Sequence, residues 1–404
     1  MNPGKLRGVV APSMLMDALL PTGERADVLI EGGRIARIGP PRSDATDTAV
    51  EPLRGALLLP ALVEGHMHLD KTLLGAGWIP HREGGTVPER IEAEKTLRRG
   101  LTVGVSERGR QLAERAIAFG TTRMRCHVDV DNEIGLTGVE ALLELRDALR
   151  DRLEIQLVAF PQSGILASPG TAELMEAALQ SGVEVVGGLD PAGIDGDVTG
   201  HLDVVFGLAE RHVAHVDIHL HDHGEPGALE LREIAGRTGA TGLGGRVTVS
   251  HAYALGEISA TVLAETAAAL AEAGVAIMTT APGASAMPPV KRLVDEGVLV
   301  FTGNDNVRDA WSPLGSGDML ERAAIVAYRQ GLATDPDLKL AFSLATERAA
   351  IALGLDSEYG LREGVAADLV AVRASGIPEA VAAHPARELV LKAGRPVARD
   401  GRLV

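Results

Sequence analysis

Short apolar runs rich in β-branched residues alternate along the middle of the chain with longer stretches of helical periodicity. Eight such runs predict strands near residues 57–68, 121–130, 154–162, 184–190, 214–222, 246–252, 275–280 and 299–305. The stretches between them are rich in Ala, Leu, Glu and Arg, which favours helices and hence repeated βα units. Eight such units predict an α/β fold, a (β/α)8 TIM barrel, whose catalytic groups follow the carboxyl ends of the strands.

The two ends of the chain predict a second, smaller domain. Residues 27–38 have the pattern of a hairpin that turns at glycines, and residues 388–397 have a similar pattern near the other terminus. With the apolar segment 367–372 they predict a small β-sandwich beside the barrel. We therefore expect this small domain to comprise residues 1–56 plus 360–404, and the barrel to comprise residues 57–359.

Histidine and aspartate residues follow several of the predicted strands. His66 and His68 end the first strand, where alternate side chains share a face, so both imidazoles could hold one metal ion. Such a pair alone is a weak signal, because two ordinary polar residues are the more common explanation. Partners follow three other strands, at His219, His251 and Asp305. The carboxyl ends of barrel strands meet at one edge, so we expect these side chains to lie together.

Five motifs occur in order along almost the whole chain. They are Gly-His-Met-His-Leu-Asp-Lys from residue 65, Arg-Cys-His-Val-Asp-Val-Asp from 125, Val-Ala-Phe-Pro-Gln-Ser-Gly from 158, Ser-His-Ala from 250 and Asp-Asn-Val-Arg-Asp-Ala-Trp from 305. Together they resemble the cytosine deaminase branch of the amidohydrolase superfamily. Within that branch, residues 70–71, 187–191, 219–222 and 315–319 are more similar to the N-isopropylammelide amidohydrolases of triazine breakdown. Cytosine deaminases carry Glu at the position of Asp222 and Asp at that of Asn306.

The resemblance implies a mononuclear metal site and a hydrolytic mechanism. The implied ligands of one divalent ion, Zn or Fe, are His66, His68, His219 and Asp305. Such an ion lowers the pKa of a bound water from about 15.7 towards roughly 7, which makes hydroxide available as a nucleophile. Asp305 would also accept the proton of the water, and His251 would hydrogen-bond the attacking oxygen. We expect Asp222 to carry a proton to the leaving amine.

Further residues are candidates for binding the substrate. Gln162 matches the substrate glutamine of the family and suits a ring N–H and carbonyl pair. Lys71 could hold an anionic ring oxygen or pair with Asp70, and Trp311 could cover the ring or pack in the core. His221 shares a strand face with His219 and could reach the cavity or lie in a solvated loop. The remaining, weaker candidates are Asp190 and Asn306.

Composition narrows the classes of partner. Lys and Arg number 39 against 55 Asp and Glu, and the resulting net charge of −16 opposes attraction to nucleic acid or an anionic membrane surface. We expect a small N-heterocyclic substrate and assembly into a homo-oligomer. No stretch has the apolar length of a signal core or a membrane span, which predicts a cytoplasmic protein. The single cysteine, Cys126, excludes an internal disulfide and is expected to be a buried apolar residue.

These observations predict a metal-dependent enzyme that hydrolyses an exocyclic C–N bond of an aminopyrimidine or aminotriazine, as a deaminase or an N-alkyl amidohydrolase. One alternative is a cytosine deaminase proper. Another is a cyclic-amide hydrolase of the same superfamily, although binuclear members of that kind usually have a bridging lysine on the fourth strand and residues 184–190 contain none. A non-catalytic assembly protein would be expected to have lost metal ligands, and all four are present.

Overall fold

The protein, described by a computed structural model over residues 13–40, 49–81 and 85–404, contains two sheets. Residues 1–12 and 41–48 of the predicted small domain lie outside the described ranges. The strands are β1 (Ser13–Leu19), β2 (Arg25–Glu31), β3 (Arg34–Gly39), β4 (Ala49–Pro52), β5 (Leu57–Pro60), β6 (Leu62–Met67), β7 (Thr121–Asp129), β8 (Glu154–Phe160), β9 (Val185–Leu189), β10 (His215–Leu220), β11 (Val247–His251), β12 (Val275–Thr279), β13 (Val300–Thr302), β14 (Leu369–Val372), β15 (Arg387–Lys392), β16 (Arg395–Arg399) and β17 (Arg402–Leu403).

Helices follow most of the barrel strands. They are α1 (Val87–Arg99), α2 (Val105–Ala118), α3 (Thr137–Leu149), α4 (Thr171–Gln180), α5 (Val198–His212), α6 (Gly224–Thr241), α7 (Ala260–Ala273), α8 (Val290–Asp295), α9 (Met319–Gln330), α10 (Asp335–Leu344), α11 (Glu347–Ala352) and α12 (Ile377–Ala383). Short 3-10 turns lie at Tyr253–Gly256 and Asp356–Glu358. Among the residues that the structure describes, no helix is long and apolar enough to cross a membrane.

The predicted barrel is confirmed. Strands β6 to β13 pair in sequence order, each parallel to the next. A parallel bridge between Met67 and Asp305 joins the first strand to the end of the last. Most of these strands are buried on both faces because helices cover the outside and side chains fill the interior, which explains their continuous apolar runs.

The prediction that residues 57–68 form a single barrel strand is wrong for the first part of this range. The structure divides it into β5, which pairs with β14 in the other sheet, and β6, which begins the barrel. Both halves are apolar and buried, so the hydrophobic pattern alone gives no sign of the change of sheet at Ala61.

The terminal segments form a separate sheet, as the sequence predicted, and β5, from the range predicted for the barrel, is one of its nine strands. The hairpin β2–β3 turns at Gly32 and Gly33, both with positive φ, and the hairpin β15–β16 turns at Ala393 and Gly394. A separate hydrophobic core packs against this sheet and includes Val28, Ile30 and Leu58.

Candidate active site

Four side chains converge at the carboxyl edge of the barrel. His66, His68, His219 and Asp305 each offer one ligand atom, and these atoms lie within 4.8 Å of one another. The Nε2 atom of His68 lies 3.2 Å from Oδ1 of Asp305, and that of His66 lies 3.5 Å from the same oxygen. In the described part of the chain, Nε2 of His66 and both ring nitrogens of His219 have no hydrogen-bond partner.

The protonation states of this cluster suit a cation. Burial lowers the pKa of His68 and His219, so both are neutral near pH 7, the form in which imidazole binds metal. Burial alone would raise the pKa of Asp305, but the neighbouring imidazoles of His66 and His68 outweigh it and hold this pKa well below its ordinary range. Buried nitrogens without partners beside an ionised carboxylate therefore fit one divalent ion.

A second group, of His66, His127 and Asp217, also has ligand atoms within 4.8 Å of one another. It fits a cation less well, because Asp217 already faces a positive charge: Nη1 of Arg125 donates to its Oδ2 at 3.0 Å. The hydroxyl of Ser250 lies between the remaining partners, 3.1 Å from Nδ1 of His66 and 2.7 Å from Oδ1 of Asp217. Among the described residues, the first group is thus the better candidate metal centre.

Left-handed backbone conformations occur at three strand ends that carry site residues. Asp190 after β9, His251 at the end of β11 and Asp305 after β13 have φ of +36°, +72° and +62°. Such conformations are costly for residues with a side chain and are concentrated at functional sites. At β11 the consequence is visible: Ser250 points into the barrel, so strict alternation would turn His251 outward, yet its ring lines the cavity.

Ten residues line the cavity beside the candidate metal centre. Nine were predicted from the sequence, namely His68, Lys71, Gln162, His219, His221, His251, Asp305, Asn306 and Trp311, and the tenth is Phe160. The Phe160 ring stacks on His219 with centroids 4.1 Å apart. The cavity meets a wider groove of about 1410 Å³, with which it shares His221, Asp305, Asn306 and Trp311.

His221 stacks on His251 and is oriented by Asp190. The two rings lie 4.5 Å apart at 25°, and Nδ1 of His221 is 2.9 Å from Oδ2 of Asp190. Burial acts to lower the pKa of His221, but the Asp190 carboxylate outweighs it and raises the pKa above its ordinary value. For His251, burial and the neighbouring His221 lower the pKa well below that value. The cavity therefore holds one imidazole that retains a proton readily and one that does not.

Lys71 lies in a buried polar network rather than free in the cavity. Its ammonium donates to Glu94 at 3.0 Å, to Asp129 at 3.0 Å and to Oε1 of Gln162 at 2.6 Å. These three partners use its three N–H donors. Within the described ranges, the alternative partner Asp70 makes no hydrogen bond to Lys71, and its carboxylate accepts from the backbone N–H of Asp129.

Trp311 and Asn306 belong to the same wall. The indole of Trp311 donates to Glu94 at 2.6 Å, and the amide of Asn306 donates to Asp309 at 2.7 Å. Asp309 also accepts from the backbone N–H of Trp311, so one carboxylate orients both residues.

Asp222, unlike nine of the predicted site residues, does not line the cavity. Its carboxylate accepts from the backbone N–H of Gly193 at 3.1 Å, on the loop after β9, and it adds to the effect of burial in raising the pKa of Glu230 of α6. This position does not support the expected role of Asp222 as the proton shuttle. Three residues beyond His219, the chain has already left the strand.

Comparisons with known proteins agree with this geometry. A sequence model of the amidohydrolase family matches residues 49–398. The chain belongs to the amidohydrolase family. It is 31% identical over 388 residues to N-isopropylammelide isopropyl amidohydrolase of Pseudomonas sp. (strain ADP), covering 94% of each protein. The resemblance and the enzyme class predicted from the motifs are confirmed.

Two solved structures are similar over almost their full length. N-isopropylammelide isopropylaminohydrolase from Burkholderia multivorans ATCC 17616 superposes with a TM-score of 0.93 at 44% identity, covering 98% of this chain and 100% of the other. The 5-methylcytosine deaminase from Klebsiella pneumoniae, liganded with 5-fluorocytosine, has a TM-score of 0.86 at 27% identity, with 96% and 97% coverage.

Sequence reasoning about this amidohydrolase missed several residues of the site. Phe160, Asp129 and Ser250 occur inside the quoted motifs but carried no assigned role. Alternation along β7 and β11 indicates which side chains point into the barrel, so the sequence pattern could have identified Asp129 and Ser250. Glu94 lies on α1 outside any motif, and nothing in the local sequence marks it. The predicted burial of Cys126 is confirmed.

Proposed function

We propose that this amidohydrolase hydrolyses the exocyclic C–N bond of an N-alkylated amino-hydroxytriazine, or a closely related aminated N-heterocycle, with one divalent metal ion. The observation that carries the proposal is the single cavity in which the four-ligand cluster faces His251, His221 and Gln162. In the reaction, water oxygen replaces the exocyclic nitrogen on the ring carbon, and the amine leaves with the proton of the water.

The metal would be held by His66, His68, His219 and Asp305, and Zn or Fe suits this nitrogen and oxygen donor set. When bound, it would lower the pKa of water and supply hydroxide near neutral pH. Asp305, whose pKa lies well below its ordinary range, is ionised and can accept a proton from the water. His251 is neutral, so it can accept a hydrogen bond from the attacking water and direct it towards the ring.

The leaving nitrogen must gain a proton before it departs. His221 lines the cavity, and Asp190 raises its pKa, so a protonated His221 can donate there. We therefore assign to His221 the role expected of Asp222. Asp190 acts through His221, since its carboxylate fixes the Nδ1–H and leaves Nε2 towards the cavity.

The orientation of Gln162 supports a ring that carries an oxygen. Lys71 has only donors, so Oε1 of Gln162 must face it and Nε2 must face away. The amide N–H of Gln162 then suits a carbonyl or hydroxyl oxygen on the substrate. Lys71 is not available to bind an anionic substrate oxygen, since its three donors are already used.

The wider groove supports an alkylamine as the leaving group. It begins at Asp305 and Asn306, and apolar side chains such as Ala281, Pro282 and Ile325 form part of its wall. A substituent on the leaving nitrogen could extend into it. The matched proteins of Pseudomonas and Burkholderia are named for an isopropyl leaving group, whereas the Klebsiella protein is named a deaminase. Cytoplasmic location and homo-oligomeric assembly stay predictions from the sequence.

The test is a substrate panel with zinc-loaded protein. N-isopropylammelide, the same ring with a primary amine, cytosine and a six-membered cyclic amide would be compared by kcat/KM. We expect release of isopropylamine from the first compound to be the fastest reaction. Preference for cytosine would favour the deaminase alternative, and opening of the cyclic amide alone would overturn the proposal.

A further inference from the structure

A buried chain of polar atoms runs beneath the candidate metal centre, outside the substrate cavity. Ser250 of β11 lies 3.1 Å from Nδ1 of His66 and 2.7 Å from Oδ1 of Asp217 on β10. All three side chains are buried. Strand pairing places Ser250 beside His219, so the chain reaches His66 from two strands on the opposite side of the barrel.

The direction of each hydrogen bond follows from the donor inventory. The carboxylate of Asp217 only accepts, and its other oxygen already accepts from Arg125 at 3.0 Å. The Ser250 hydroxyl must therefore donate its single hydrogen to Asp217. Its oxygen can then only accept from His66, which places the ring proton of His66 on Nδ1.

This tautomer has a consequence for the metal centre. With the proton on Nδ1, the lone pair of His66 lies on Nε2, the atom that is 3.5 Å from Asp305 and has no hydrogen-bond partner in the described ranges. A carboxylate that orients a metal-binding histidine through its second nitrogen is a general feature of metal sites. Here a serine hydroxyl lies between the carboxylate and the ring.

We propose that Ser250 and Asp217 are positioning residues that hold His66 as its Nδ1–H tautomer and thereby prepare Nε2 to bind the metal. Arg125 holds the Asp217 carboxylate in place through Nη1 and also donates to Thr248, on the same inward face of β11. The inference rests on the proposed function only in requiring that a divalent ion binds this cluster.

The test is zinc affinity, measured on apo protein by competition with a chromophoric chelator and without any substrate. Ser250→Ala should weaken zinc binding by about 10–100-fold, the usual effect of losing such a partner. Thr248→Val is the matched control, because it removes a buried hydroxyl from the same polar network without touching His66. It should bind zinc within about twofold of the unmodified protein, a margin far below the effect expected of the lost partner.

Each result is decisive. Equal zinc affinities of Ser250→Ala and Thr248→Val would overturn the inference and leave the proposed function intact, whereas an unmodified protein that takes up neither zinc nor iron(II) would overturn the proposed function itself. If Ser250→Ala does not fold, Ser250→Cys serves instead, because it keeps a small side chain but replaces the hydroxyl by a weak donor. Ser250→Thr, which keeps the hydroxyl, should retain zinc affinity if it folds, and its loss would count against the inference.

Discussion

The backbone N–H of Asp305 donates a 2.7 Å hydrogen bond to the carbonyl oxygen of His66. Asp305 follows the last strand of the barrel, and His66 lies at the end of the first. The hydrogen bond that closes the barrel therefore also brings two proposed metal ligands together. Glu64 reinforces the junction, since its carboxylate accepts from the backbone N–H groups of His66 and Asn304. The metal centre is therefore complete only when the barrel is closed.

It follows that zinc should stabilise the folded protein. An ion that binds the closed barrel but not the unfolded chain adds about 2.7 kcal/mol to the free energy of unfolding at a hundredfold excess over its Kd. Thermal melting of chelator-treated protein, with and without added zinc, would measure the effect. His68→Ala should melt at nearly the same temperature in both conditions. A zinc-induced rise in that variant equal to the unmodified protein would contradict the assigned ligands.

His251→Ala should reduce kcat by about a hundredfold or more, the usual scale for losing a positioned acid–base group. Its zinc content should stay near normal, because His251 is not a proposed ligand. His212→Ala provides a control, since His212 ends α5 and pairs with Glu176, and neither residue lines the cavity or the groove. Steady-state kinetics and metal analysis decide the matter: loss of zinc in His251→Ala would make His251 a ligand instead.

Lys71→Met should lower the free energy of unfolding by about 3–5 kcal/mol, because the buried Glu94 would lose its ammonium partner and the buried Asp129 would keep only Arg98. Lys95→Met is the matched control on the same side of the protein. Lys95 pairs with a largely exposed Glu92, so its loss should change stability by no more than about 1 kcal/mol. Urea unfolding would compare them. Similar losses in both variants would show that the Lys71 network is not held together by its charge.

The Asp222–Glu230 pair predicts a pH dependence of stability. Burial, and then repulsion from Asp222, raises the pKa of Glu230 from 4.5 to about 8. Between those values the folded protein keeps a proton that the unfolded chain has lost, so this group's contribution to stability falls as pH rises from about 4.5 to about 8.

Glu230→Gln keeps the shape and cannot titrate, so it should lose less stability than the unmodified protein between pH 5 and pH 8. Melting temperatures at three or four values across this range would show the difference. Parallel curves for the two proteins would contradict the raised pKa.

Much of the site could be predicted from sequence because the barrel brings every strand end to one edge. His66, His219 and Asp305 needed only the strand pattern and that rule to be placed together. The role of Asp222 could not be judged in the same way. The direction of the Asp222 side chain depends on Glu230 of α6 and on the loop after β9. Tertiary contacts of this kind leave no pattern in the local sequence.

The Lys71 network was beyond sequence reasoning for a similar reason. Its partners Glu94, Asp129 and Gln162 come from a helix, a strand and the turn after another strand, which are far apart in the chain. The change of sheet at Ala61 was also hidden, because β5 and β6 are equally apolar and only their pairing partners differ. Hydrophobic periodicity indicates that a residue is buried, but only tertiary packing determines which residues it contacts.

The central claim is that exocyclic C–N hydrolysis depends on one metal ion at the four-ligand cluster. The most direct measurement is the rate of amine release from N-isopropylammelide by metal-free protein titrated with zinc. We predict that the rate rises linearly and reaches a plateau at about one ion per chain, as expected for a single four-ligand centre. Full activity in verified metal-free protein, or no amine release from protein that has bound its zinc, would contradict the account.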